Sequence, residues 1–203
     1  MKVIFLDIDG VMNSELFYLA RYRKRWLHYN TYKWWLKSKI KWIFNGFKYK
    51  SVSLLNHKSP KDLFSYNYTY KRLKEETDSV KWEWLNRLCI DTQAKICISS
   101  VWKNHFKDTN DWDKWFNAIG FPRNTYVGIT NTRRTLRGTE IQDFLNKYDN
   151  IDNYVIIDDD SDMLPEQKEH FFQTDPYVGL TPNTCYRIKN YLNNSNFNIH
   201  NHS

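Results

Sequence analysis

Asp7 and Asp9 stand two residues apart at the end of the apolar run Val3-Ile4-Phe5-Leu6, and Gly10 follows them. Two carboxylates so spaced can divide labour, one attacking as a nucleophile while the other carries protons. The same residues also fit a plain strand closed by an Asp-Gly turn. A second acidic group follows Tyr154–Ile157: Asp158, Asp159, Asp160 and Asp162. Four acids in five positions repel one another unless a cation neutralises them or one is protonated. Carboxylate oxygens are hard ligands of the kind Mg²⁺ takes. A solvated acidic loop accounts for Asp160 but not for Asp158, which ends an apolar run as Asp7 does. Ser99 and Ser100 close a third such run, where a hydroxyl and a backbone N–H can bond a phosphoryl oxygen. Arg137 stands before a helical stretch and can bring a fixed cation to the edge of a sheet.

These residues need a scaffold that gathers them. Val3–Leu6, Lys95–Ile98, Tyr126–Ile129, Tyr154–Ile157 and His170–Gln173 read as five strands, the first, second and fourth buried on both faces. Between them lie helical stripes. Val80, Trp84, Leu85, Leu88 and Cys89 form one, and Trp112, Trp115, Phe116 and Ile119 another, closed by Gly120. A third runs from Glu140 to Lys147, burying Ile141, Phe144 and Leu145. Thr181-Pro182 caps a last helix through Ile188 and Leu192. Alternating strands and helices predict an α/β fold with a parallel sheet, whose ligands bind beyond the carboxyl ends of the strands.

Charge divides the chain differently. Residues 16–61 hold twelve Lys and Arg and no Asp or Glu; with +7 overall, the remainder carries 7 − 12 = −5. Such an asymmetry points to a polyanionic partner. Arg21, Arg23, Lys24 and Arg25 sit among Tyr18, Tyr22, Trp26 and Tyr29, and Leu36, Ile40, Ile43 and Phe47 make one helical stripe. A nucleic-acid surface, a small helical cap with its own aromatic core and a basic helix on a membrane surface all fit this composition. Residues 56–79 read as loops, and the tail from Asn193 as disordered. No apolar run is long enough for a membrane span. Cys89, Cys97 and Cys185 lack metal-ligand spacing, and they and the histidines read as core or surface residues of a reducing, cytoplasmic compartment.

The residues FLDIDGV at 5–11, ICISS at 96–100, Arg137 and VIIDDDSD at 155–162 resemble, in order, the four motifs of the haloacid dehalogenase (HAD) superfamily of phosphohydrolases. More narrowly, IDGVMNS, SSVWK, RGTEI and TDPYVGLT resemble the subfamily named for multi-domain Swiss army knife RNA repair proteins. Two positions depart from pattern. The third-motif residue is usually Lys where this chain has Arg137, with Arg133 and Arg134 close by. Lys103 stands where the subfamily often has Arg, keeping the charge but losing the bidentate fork.

The resemblance implies a Rossmann-like HAD core from 1–15 and 80–192, with 16–79 as a helical cap inserted between the first and second motifs and 193–203 as a polar tail. It implies a phosphomonoester hydrolase in which Asp7 attacks phosphorus and Asp9 serves as acid, then base. Ser99, Ser100, Lys103 and Arg137 are expected to bind phosphate. Mg²⁺ is expected on Asp7, the Asp9 carbonyl, Asp158 and Asp159, with Asp162 as the rival second acid. The basic insert favours a nucleic-acid or nucleotide phosphate end. A small-metabolite phosphatase and a non-catalytic nucleic-acid-binding module are the alternatives.

Overall fold

The computed structural model describes residues 1–21, 23, 73–105, 110–131 and 136–194. Five parallel strands form the sheet: β1 (Lys2–Leu6), β2 (Lys95–Ile98), β3 (Tyr126–Ile129), β4 (Asn153–Asp158) and β5 (Phe171–Gln173), in the order β3-β2-β1-β4-β5. Among the described residues, the helices flanking the sheet are α1 (Ser79–Thr92), α2 (Asn110–Ala118), α3 (Arg137–Lys147) and α4 (Pro182–Asn194). The α/β fold expected from the sequence is the one observed.

β1 is central, and its apolar run is buried on both faces as its composition requires. Ile4 and Leu6 pack into the larger core with Leu85, Ile98, Ile157 and Ile188. Val3 and Phe5 face a smaller core with Ile141, Phe144 and Ile156. The chain lays down β2 and β3 on one side of β1, then returns to lay β4 and β5 on the other. The order therefore reverses between β1 and β4, the switch point at which open α/β sheets bind ligands.

Several elements depart from their expected limits. α3 begins at Arg137, not at Glu140, so Arg137 belongs to the first helical turn. In α1 the buried face is Lys81, Trp82, Leu85, Leu88 and Cys89, while Val80 is exposed. Trp82 takes the place expected of Trp84 because Trp115, Phe116 and Phe121 surround it edge-on. Residues 73–76 are helical, with Leu73 in the core, where loops were expected. α4 runs to Asn194, past the expected start of the tail.

Of the basic segment, helical residues 15–21 and 73–76 are described. Arg21 meets Glu75 at 3.3 Å, so outgoing and returning chain lie together. The stripe Leu36, Ile40, Ile43 and Phe47 lies outside the described residues, as do Lys24 and Arg25. Among the described residues no helix is long and apolar enough to cross a membrane. Cys89, Cys97 and Cys185 are free thiols, the first two buried.

Candidate active site

Strand register assembles the site. Leu6 pairs with Ile98 on one side and with Ile157 on the other. The next residue on each strand is therefore Asp7, Ser99 and Asp158, three side chains in one row across the switch point. Backbone bonds extend the ladder to this row: the Asp7 N–H donates to the Ile157 carbonyl and the Ser99 N–H to the Leu6 carbonyl, each at 3.0 Å.

Arg137 enters the row from the start of α3. Its Nη1 donates to Asp7 Oδ1 at 3.0 Å and to the Ser99 carbonyl, and its Nε lies 3.4 Å from Asp158 Oδ2. One guanidinium thus spans both buried carboxylates, using the fork geometry that distinguishes Arg from Lys. The backbone behind it is anchored. Asp162 Oδ2 accepts the Arg137 N–H at 3.0 Å, and the Asp162 carbonyl accepts the Gly138 N–H at 3.2 Å. Asp162 therefore serves a helix terminus that would otherwise leave its amides unpaired. A β-carbon at Gly138 would lie 2.4 Å from the Leu164 nitrogen, so only glycine lets α3 start here.

Asp7, Asp158 and Asp159 each present a carboxylate oxygen within 4.8 Å of the others. Asp7 is 4% exposed and Asp158 1%. Burial pushes the Asp7 carboxyl up to about 6, against the pull of Arg137 and of a hydrogen bond from Ser100. Burial, then the Asp7 charge, pushes Asp158 up to about 8. Burial also raises Asp159. Three carboxylates against one guanidinium leave an excess of negative charge, which a proton or a divalent cation neutralises. The donor set is all carboxylate oxygen, which fits a hard cation. Asp159, not Asp162, completes that set. Asp160 is exposed, its N–H donating to Asp158 Oδ1 at 3.0 Å.

Asp9 lies apart from this ion-pair network. Asp9 is an exposed residue, yet each of its carboxylate oxygens holds a donor: Asn13 Nδ2 on Oδ1 at 2.8 Å and Trp102 Nε1 on Oδ2 at 2.9 Å. Gly10 makes the loop possible with a φ of +66°, a conformation that L side chains rarely adopt. Thr174 Oγ1 donates to the Gly10 carbonyl at 3.0 Å and steadies the turn from β5's side.

The phosphate-binding expectations divide. Ser99 Oγ is buried with no hydrogen-bond partner among the described residues, so it has capacity for a ligand. Ser100 is committed to Asp7 and to the Trp102 N–H, the latter at 3.3 Å. Lys103 requires correction. Its ammonium donates to Glu140 Oε2 at 2.5 Å, Thr130 Oγ1 at 3.0 Å and the Asn131 carbonyl at 2.6 Å. A lysine has three donors. All three are in use, so Lys103 braces the turn after β2 against α3 and has no N–H left for phosphate.

Of the four basic residues expected to touch nucleic acid, Arg21 is paired with Glu75 and Arg23 is exposed. Sequence reasoning missed Asn13, Trp102 and the capping role of Asp162. Trp102 sat inside the quoted SSVWK stretch, but nothing in its type or spacing names Asp9 as its acceptor across 93 residues.

Neither a curated protein nor a solved structure matches the chain. A family model does, from residue 3 to residue 185, limits that enclose the basic segment as well as all four strand-end motifs. The chain therefore belongs to the family described as the HAD domain in Swiss Army Knife RNA repair proteins.

Proposed function

We propose that this HAD domain is a Mg²⁺-dependent phosphomonoester hydrolase working through an aspartyl-phosphate, with a nucleic-acid or nucleotide phosphate end as substrate. The observation that carries the reading is the Asp7–Arg137–Asp158 bridge at the switch point, a nucleophile and a fixed cation beside a carboxylate cluster.

In the first step an Asp7 oxygen forms a bond to phosphorus and the P–O bond to the leaving group breaks. Asp9 gives its proton to the departing oxygen. In the second step water attacks the phosphorus of the aspartyl-phosphate, its proton passing to Asp9, and Asp7 leaves as the free carboxylate with inorganic phosphate as product. Arg137 and the Ser99 hydroxyl are suited to the phosphoryl oxygens, where charge accumulates in the transition state. Asp7, Asp158, Asp159 and the Asp9 carbonyl would hold Mg²⁺, which supplies charge neutralisation so that nucleophile and phosphate can approach. Arg137 alone leaves Asp7 with a raised pKa, so its ionised, nucleophilic form needs that further positive charge.

The substrate reading rests on the basic segment and on where it joins the core. Asn13, which holds Asp9, also donates to the Tyr18 hydroxyl at 2.9 Å, in the helical residues that open the segment. The Asp78 N–H at its return donates to the Met12 carbonyl at 2.9 Å. Both ends of the cationic stretch therefore leave from the rim of the Asp9 loop, a placement that supports a cap over the site.

Turnover of a 3′-phosphorylated oligonucleotide, a mononucleotide and p-nitrophenyl phosphate, each with Mg²⁺, tests the proposal. The expected order has the oligonucleotide first in kcat/KM. Preference for the mononucleotide favours the small-metabolite phosphatase, and oligonucleotide binding without turnover of any ester the non-catalytic module.

A further inference from the structure

We infer that Trp102 and Asn13 are positioning residues for Asp9, a pair of neutral N–H donors that fix the carboxyl group for proton transfer to the leaving oxygen. The inference rests on the phosphatase reading and assigns a role to two residues outside the nucleophile, the cation cluster and the phosphate-binding groups.

Asp9 needs such support. It is exposed and, among the described residues, makes no ion pair, so an unheld carboxylate there would sample several rotamers. The two donors are fixed where Asp9 is not. Trp102 is 2% exposed and belongs to the larger core. Asn13 is 1% exposed, and its orientation is determined by its neighbours. Its Oδ1 accepts the Gly10 N–H at 3.0 Å, which an amide nitrogen could not do, so Nδ2 must face Asp9.

The chemistry of these donors matters as much as their geometry. An indole N–H and a carboxamide N–H donate but take no proton at neutral pH. Each occupies one lone pair of an Asp9 oxygen and leaves another for substrate or water. A Lys or Arg in their place would bring a full positive charge against Asp9. Asp7 has such a partner in Arg137, at 3.0 Å. The two aspartates of one short loop thus receive different kinds of donor, a guanidinium at Asp7 and two neutral N–H groups at Asp9.

The test is the dependence of rate on leaving-group basicity. Phenyl phosphate and p-nitrophenyl phosphate share a shape, but the phenoxide needs protonation far more. Trp102→Phe keeps an aromatic ring and removes the N–H; Asn13→Ala removes the donor on the other oxygen. For each variant and the parent, kcat/KM is measured on both esters with Mg²⁺, and the p-nitrophenyl-to-phenyl ratio is read. The ratio is expected to rise about tenfold in each variant, a fraction of what general acid catalysis supplies. Asp9→Asn, as the reference, should raise it further. A loss of folded or phosphate-binding protein lowers both rates together and leaves the ratio unchanged; that result, in an active parent, overturns this assignment alone. Should one variant lose all turnover, the other is read. A parent that hydrolyses neither ester overturns the proposed function, and this inference with it.

Discussion

The carboxyl carbon of Asp159 lies 2.2 Å from where a β-carbon on Gly10 would stand. The loop after β1 and the loop after β4 thus touch at the one residue with no side chain, and the third acid of the cluster is seated there. Gly10→Ala should displace that carboxylate and strain a backbone at φ +66°, a conformation costing an alanine about 1–2 kcal/mol. The expected outcome is a several-fold rise in the Mg²⁺ needed for half activity and a lower melting temperature. Parent values for both would show that Asp159 does not depend on Gly10.

Asp7→Asn preserves shape and removes the charge of the proposed nucleophile. Turnover of p-nitrophenyl phosphate should fall about a thousandfold, or ~4 kcal/mol of barrier. Mass spectrometry of the quenched parent should find a phosphoryl adduct that the variant lacks. Near-parental activity in Asp7→Asn would remove the covalent step.

The raised carboxylates make a prediction about stability. Asp7 and Asp158 go from an ordinary 3.8 to about 6 and about 8 on folding. The folded, metal-free state therefore binds more protons than the unfolded chain between those values, and stability falls as pH rises from about 4 to about 8. Mg²⁺ should reverse the loss most strongly at the alkaline end, where it replaces protons, and EDTA should restore it. Asp158→Asn should flatten the metal-free slope. Melting curves across that range, with and without Mg²⁺, check each part. A metal-free protein that becomes more stable towards pH 8 would contradict the cluster's electrostatics.

Much of this site was legible because register needs little information. Three apolar runs of similar length, each ending in Asp or Ser, suffice to bring Asp7, Ser99 and Asp158 into one row once the strands are parallel. Partner choice was not legible. Lys103 carries the charge expected of a phosphate ligand, and only the fold reveals Glu140, Thr130 and Asn131 around it. Helical phase failed in α1 for a related reason. Trp82 and Trp84 are both large and apolar, and the aromatic ring cluster of Trp115, Phe116 and Phe121 decides which one turns inward.

The Lys103–Glu140 pair yields a prediction of its own. Both groups are buried and 2.5 Å apart. Removing one charge leaves the other without compensation, at a cost of about 3–5 kcal/mol. Glu140→Gln should lower stability by roughly that amount in urea unfolding, while Lys103→Met combined with Glu140→Leu should recover most of it. A loss in Glu140→Gln of under about 1 kcal/mol, the range of exposed pairs, would mean that the pair is not held as described.

The last prediction concerns the basic segment and is narrowed by the structure. Arg21 already has Glu75 as a counter-charge at 3.3 Å. Arg23, Lys24 and Arg25 remain as candidates for phosphate contact, and each contact made releases counterions when nucleic acid binds. Changing these three to Ser should flatten the slope of log K against log salt by up to about 2.7 on duplex DNA, or about 2.1 on single strands. Adding Arg21→Ser should alter the slope little further, because that charge is internally neutralised. Hydrolysis of p-nitrophenyl phosphate should be nearly unchanged in either variant, since the proposed chemistry lies in Asp7, Asp9 and Arg137. A small-metabolite phosphatase predicts instead a parent without oligonucleotide affinity even at about 50 mM salt, where non-specific binding is strong. A basic membrane helix predicts adsorption to anionic vesicles, lost in the triple variant. Parallel titrations of fluorescent oligonucleotide and of phosphatidylserine vesicles separate these outcomes. A parent that ignores the oligonucleotide at low salt overturns the nucleic-acid substrate while leaving the Asp7 chemistry intact.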